Sequence, residues 1–151
     1  MRHQFLSQLA LKNHKLFFQV VRLIYNYGRL NPPKDKSLQE ILSLPYDKFE
    51  SAVKAILKNK SYDSAIVYDG EKFVGLNLFK IDYKNKLLKG FFVFIQEEFR
   101  GKGVQAELIR VLLDKAKELD FKGIQIGRGT NPKIVSAIEK FKKNKSQNKL
   151  F

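Results

Sequence analysis

Apolar residues recur at helical spacing from Gln4 to Tyr27, through Phe5, Leu6, Leu9, Leu16, Phe17, Val20, Val21, Leu23, Ile24 and Tyr27. Such a stripe predicts one amphipathic helix, or two parted near Asn13-His14, with one side turned to a core. Gly28 suits a C-terminal stop, and Asn31-Pro32-Pro33 opposes resumption of the helix. Ser37-Leu38-Gln39-Glu40 has capping-box spacing, so its Ser and Glu predict a second helix start. Asp47-Lys48-Phe49-Glu50 opens a third helix through Ala52, Val53, Ile56 and Leu57, with Pro45 between the two.

After Lys60 the period changes. Ala65–Tyr68, the pair Asp69-Gly70 and Phe73–Phe79 predict a hairpin, because Asp-Gly supports the positive φ of a tight turn. Leu87 to Ile95 carries a near-continuous apolar run, expected of a strand covered on both faces. Val104 to Leu119 predicts an amphipathic helix, Ile124-Gln125-Ile126 a short strand, and Pro132 to about Lys143 a last helix capped by Asn131. From Lys140 onward lysines occur with no acid, which predicts a basic tail at 144–151. The organisation expected is a helical N-terminal region at 1–60 packed on a core at 61–143.

Composition narrows the chemistry. At 151 residues and 44% hydrophobic, the chain is long and apolar enough to bury one core. It has no cysteine, which excludes disulfides, thiolate metal sites and a Cys nucleophile. Its two histidines, His3 and His14, lie near the N-terminus, which disfavours a His-based metal site or triad. No stretch approaches the roughly 18 apolar residues of a membrane span, and the N-terminus lacks a signal-peptide pattern. A cytoplasmic protein with no membrane partner is the expectation. The net charge of +14 favours an anionic partner, although scattered lysines equally suit a solvated surface.

The most informative segment is Gln96-Glu97-Glu98-Phe99-Arg100-Gly101-Lys102-Gly103-Val104-Gln105. A strand, a Gly-rich turn and a helix N-terminus suit anion binding, since the glycines let backbone N–H groups converge and Arg100 and Lys102 add charge. By itself a Gly-x-Gly turn is as well explained by helix initiation without a ligand. The order of elements adds weight. Together with Asp69-Gly70-Glu71-Lys72-Phe73-Val74-Gly75 and Asn131, it resembles the GNAT (general N-acetyltransferase) superfamily over about half the chain. The resemblance implies an α+β fold, a mixed sheet flanked by helices, and acetyl-CoA as acyl donor to an amine. It implies that the Ile95 backbone meets the pantetheine or acyl carbonyl. Backbone amides from Arg100, Gly101, Lys102, Gly103, Val104 and Gln105 would hold the pyrophosphate, and Asn131 would face the cofactor arm.

Three positions depart from that pattern. Gln105 stands where the family prefers Gly or Ala, and Ile138 where many members place a Tyr that protonates the leaving thiolate. Lys142-Lys143 replace a Gly-Phe pair, so a shortened C-terminus is expected. Candidate proton-handling residues are Glu97 and Glu98, with Asp82 and Tyr83 after the preceding strand, while Ser136 or Tyr83 are candidate acids that no spacing singles out. Two other readings stand beside the enzyme. One is a non-catalytic acyl-CoA-binding or interaction module, pairing an open sheet edge in a homodimer. The other is a winged helix over residues 16–78, reading DNA with the helix at Phe49–Lys58. An acidic or nucleic-acid-linked acceptor is the partner class that the charge favours.

Overall fold

In the computed structural model, residues 1–126 are described. The expected helix at Asn131–Lys143, with Ser136, Ile138 and Lys142-Lys143, and the basic tail lie outside them. A five-stranded sheet has its strands in chain order: β1 (Arg2–Phe5), β2 (Tyr62–Asp69), β3 (Lys72–Asp82), β4 (Leu87–Ile95) and β5 (Gly123–Gln125). The first four are antiparallel neighbours, and β5 runs parallel to β4. Helices α1 (Leu6–Lys12), α2 (His14–Leu30), α3 (Lys36–Leu42) and α4 (Tyr46–Lys58) lead into the hairpin, and α5 (Val104–Glu118) joins β4 to β5. The α+β expectation holds.

Two apolar clusters sandwich the sheet. Leu76 and Leu78 of β3 share one cluster with Phe17, Val20, Val21, Phe49 and other residues of α1–α4. Val74 and Phe79 share the other with Leu108, Leu112 and Ala116 of α5. Residues 73–79 are buried without a break, so coverage on both faces, expected for Leu87–Ile95, belongs to β3. In β4 the pattern is mixed, and Val93 is 39% exposed.

Other expectations are corrected. The N-terminal region is not wholly helical: Arg2–Phe5 pairs with Ala65–Tyr68 and covers the edge of β2. Phe5, apolar in the helical stripe, packs edge-on to Phe79 at 6.1 Å instead. The break at Asn13 is real, and its side chain accepts a hydrogen bond from the Leu16 amide. Gly28 does not stop α2. It is buried against Leu42 of α3, where an added Cβ would stand 3.0 Å from Cδ1. The cap of α3 is Asp35, which accepts from the Leu38 amide, rather than Ser37. The hairpin turn is Gly70-Glu71, since Asp69 pairs with Lys72, and Gly70 alone of the two has positive φ. The winged-helix reading fails because β2 and β3 lie at the centre of a sheet rather than forming a protruding wing. Among the described residues no helix is long and apolar enough to cross a membrane.

Candidate functional site

The site grows from the way β4 leaves its neighbours. Along β3 it pairs from Asp82↔Leu87 to Gly75↔Ile95, with one irregularity after Leu78. There Leu78 faces Phe92 and Phe79 faces Gly90, so Phe91 is an extra, bulged residue. Beside β5 it pairs only from Leu87 to Lys89 among the described residues. The Gln96 amide donates to the Val74 carbonyl at 2.9 Å, which makes Gly75↔Ile95 a non-hydrogen-bonded pair. The Ile95 N–H and C=O are therefore turned away from β3. By the same alternation so are those of Val93, which faces Asn77. Past Lys89, β4 thus presents the Val93 and Ile95 peptide groups on the side away from β3.

The chain then makes a 3₁₀ turn at Glu97–Phe99, and Gly101 and Gly103 take φ of +74° and +82° before α5 begins. Left-handed backbone at both positions is where glycine is favoured, so the sequence spacing has a direct structural reason. The Arg100 guanidinium donates through Nε to the Ile95 carbonyl at 3.1 Å, tying the turn to the end of the strand. Lys72 and Lys102 lie 5.5 and 5.8 Å from the Phe99 ring, within cation–π range. Arg100, Gly101, Lys102, Gly103 and Gln105 are exposed, while Val104 is buried under Gly75 and anchors the first turn of α5. The result is a cationic loop running into the N-terminal end of a 15-residue helix. Ile95 and Arg100–Gln105 are thus contiguous. Asn131 lies outside the described residues.

The proton-handling candidates are not brought together. Glu98 is paired with Lys72 at 2.8 Å. Glu97 is exposed in the turn after β4. Tyr83 lies beyond the other end of β4, where its hydroxyl donates to the Lys60 carbonyl at 3.0 Å and its ring meets Phe121. Nine residues of β4 at about 3.3 Å each put roughly 26 Å between those two ends. Asp82 accepts from the Asn85 side chain and backbone and pairs with Lys89. These contacts hold its carboxyl well below the usual range, unsuited to taking a proton from an amine.

Two groups escaped the sequence reading. Asp63 of β2 accepts from Ser7 Oγ, the Ser7 amide and the Ser64 amide, capping α1 from the sheet; burial pushes its carboxyl up against those hydrogen bonds. Asn77 of β3 is 1% exposed, and neither side-chain polar atom has a partner among the described residues. A single amide inside the apolar run Phe73–Phe79 was the visible signal for it. On the α1–α4 side, a small, mainly apolar hollow of about 50 Å³ reaches the bulge at Phe91. Ile24, Leu38, Ile41 and Phe49 also line it.

Comparison with known proteins completes the description. The model of the acetyltransferase (GNAT) family matches residues 32–141. No curated protein matches by sequence. Among solved structures, a ribosomal-protein-alanine N-acetyltransferase from Brucella melitensis biovar Abortus 2308 is 16% identical with a TM-score of 0.58, over 92% of this chain and 88% of that one. A dodecameric spermidine N-acetyltransferase from Vibrio cholerae is 23% identical with a TM-score of 0.59, over 82% and 72% respectively.

Proposed function

The chain belongs to the GNAT family of acetyltransferases and is an N-acetyltransferase, and on that premise we propose how its residues serve the transfer from acetyl-CoA to an amine. The observation that carries the reading is the Ile95 peptide turned away from β3 and followed at once by the left-handed turn into α5. The residues fit the donor. Amides of Gly101–Gln105 lead into a helix N-terminus, with two cationic side chains beside them, as a pyrophosphate requires, while the Arg100 amide is bonded to the Glu97 carbonyl at 3.2 Å. The Ile95 and Val93 peptide groups offer an extended edge to a pantetheine arm. Gln105 is exposed, so its side chain is free to turn outward and leave the backbone accessible.

Acetyl-CoA supplies an activated thioester whose carbonyl carbon takes the amine nitrogen directly, so the protein needs no nucleophile of its own. What it provides is alignment and a route for the amine proton. None of the candidates meets that route at the hollow's end: Glu97 stands beyond Ile95, at least about 13 Å along β4 from Phe91, Glu98 is committed to Lys72, and the Tyr83 hydroxyl donates to the Lys60 carbonyl. We assign the amine's approach to the hollow that ends at Phe91. Its apolar lining suits an acceptor with an apolar body rather than a polyanion, whatever the net charge alone suggests.

Calorimetric titration with acetyl-CoA and CoA tests the donor site. Wild type should bind both, and Gly103→Val should weaken both at least tenfold. Its Cβ meets nothing within 4 Å, so the effect arises from backbone strain at φ +82° reorienting the amides. Unchanged affinity in a folded Gly103→Val protein would overturn the assigned loop. For Glu97→Gln, thiol release with a panel of amines should match wild type; a markedly lower kcat would bring Glu97 back to the proton route.

A further inference from the structure

The positive charge is unevenly placed. Residues 1–60 carry eleven Lys and Arg against four Asp and Glu, whereas residues 61–126 carry eleven against ten. The first acid in the chain is Asp35, so β1, α1 and α2 hold none. On α2, Lys15, Gln19, Arg22, Asn26 and Arg29 are all exposed, at alternating spacings of four and three residues. That spacing keeps them on one face, a cationic and hydrogen-bonding stripe about 21 Å long. Its cations are held by aromatic rings rather than by carboxylates. The Arg22 guanidinium lies 4.2 Å from the centre of the Tyr46 ring. Arg29 lies 5.1 Å from that of Tyr25 and donates to its hydroxyl. Beside them Lys54 of α4 stands 5.0 Å from the Phe18 ring and pairs with Glu50 at 3.5 Å, the one ion pair within α1–α4 among the described residues. A ring face orders a cation without neutralising it, so the stripe keeps its charge while part of the cost of fixing its side chains is already met in the free protein.

We propose that the outer face of α2 binds nucleic acid through its phosphate backbone, with Lys15, Arg22 and Arg29 as the contacting cations. Charge complementarity selects a polyanion, and the make-up of the face selects which kind. A protein interface centres on a desolvated apolar patch. From Lys15 to Arg29 the one large apolar side chain exposed is Phe18, and Lys54 lies over its ring. Cations with polar amides between them, and no apolar centre, suit a phosphate backbone contacted without reading bases. The hollow assigned to the acceptor opens instead on the inner side of α2, at Ile24, so the two surfaces are separate. The stripe thus docks the protein on a polyanion while its acceptor, an amine with an apolar body, enters elsewhere.

The test is fluorescence anisotropy of labelled single-stranded and duplex oligonucleotides with the full chain, over a range of salt. Wild type should bind at low salt with a Kd on the order of 1–100 μM, weakening steeply as salt is added. The triple variant Lys15→Gln, Arg22→Gln, Arg29→Gln should bind at least tenfold more weakly, and its slope of log Kd against log salt should fall by about 2. A control triple, Lys84→Gln, Lys117→Gln, Lys122→Gln, removes the same charge from exposed positions outside α1–α4 and should stay within about threefold of wild type. Thermal melts check that each variant folds. Lys15→Glu, at an exposed position, keeps the two ring-held arginines in place, and should by itself weaken binding several-fold should the first triple not fold. Equal losses in the two triples would assign binding to net charge and overturn the proposal. So would wild type that binds neither oligonucleotide, wild-type affinity in Lys15→Glu and the folded triple, or displacement of the oligonucleotide by polyglutamate at equal charge, which would make the partner an acidic protein.

Discussion

Single residues decide how segments distant in the chain are joined. Asp63 replaces the missing side-chain cap of α1, bringing a carboxylate from β2 onto the Ser7 amide and hydroxyl. Asp63→Ala leaves three donors unpaired and should cost about 2 kcal/mol in urea denaturation. Its carboxyl is raised above 3.8, first by burial, so the folded protein takes up that proton more readily than the unfolded chain. This contribution is fully present below the unfolded pKa and is lost as pH rises through the raised one. Relative to Asp63→Asn, wild type should therefore gain stability as pH falls from about 7 toward 4. Glu107 and Asp82, both lowered by hydrogen-bonded partners, act in the opposite sense and lose their contribution in acid. They are common to both proteins, so the difference between the two melts isolates Asp63; a pH-independent difference would contradict its burial.

Elements are positioned by close approaches between them. Helix α2 runs on past Gly28 because that glycine lets Leu42 of α3 pack against its backbone. Just before that glycine, Tyr27 meets Phe92 and Phe94 of β4, at 5.6 and 4.7 Å between ring centres. Tyr25 spans to the Leu44 carbonyl at 2.8 Å and accepts from Arg29 at 2.9 Å. Gly28→Ala sets a helix-propensity gain of about 1 kcal/mol against a small shift of the Leu42 methyls, so it should stay within about 1 kcal/mol of wild type. Gly28→Val recovers less propensity and adds branched bulk, and should cost about 2 kcal/mol. Equal stability of all three would mean that α2 and α3 are not in tight contact.

Across the whole molecule, charge and shape give different information. The excess of 29 Lys and Arg over 15 Asp and Glu gives the chain a net charge of +14. Attraction of an anionic donor to exposed charges is screened over about 10 Å at 0.1 M salt. Affinity for acetyl-CoA should therefore fall several-fold between about 0.05 and 0.5 M salt, measured by titration. A flat salt response would assign binding to the backbone amides alone. With the hollow assigned to the acceptor as proposed, that charge does not select it, because the lining is mainly apolar, with Asp63 its one charged residue.

Local pattern was enough to locate α4, β4, α5 and the loop at Arg100–Gln105, because periodicity and left-handed glycines act through neighbours in the chain. It also gave the break at Asn13, where a short side chain satisfies a nearby amide. It missed β1, since Phe5 fits a helical stripe and a strand face alike, and only a partner 60 residues away decides between them. It misread Gly28 for the same reason: a helix stop and a packing contact use the same residue, and Leu42 settles which. The turn at Gly70-Glu71 depended on the β2–β3 register, which two-residue composition does not specify. Asn77 was visible as a lone amide in an apolar strand. That it faces α5 beside Gly90, the residue after the last described β4–β5 pair, is decided only once β4 bulges at Phe91 and β5 returns in parallel, and that is a property of the assembled sheet.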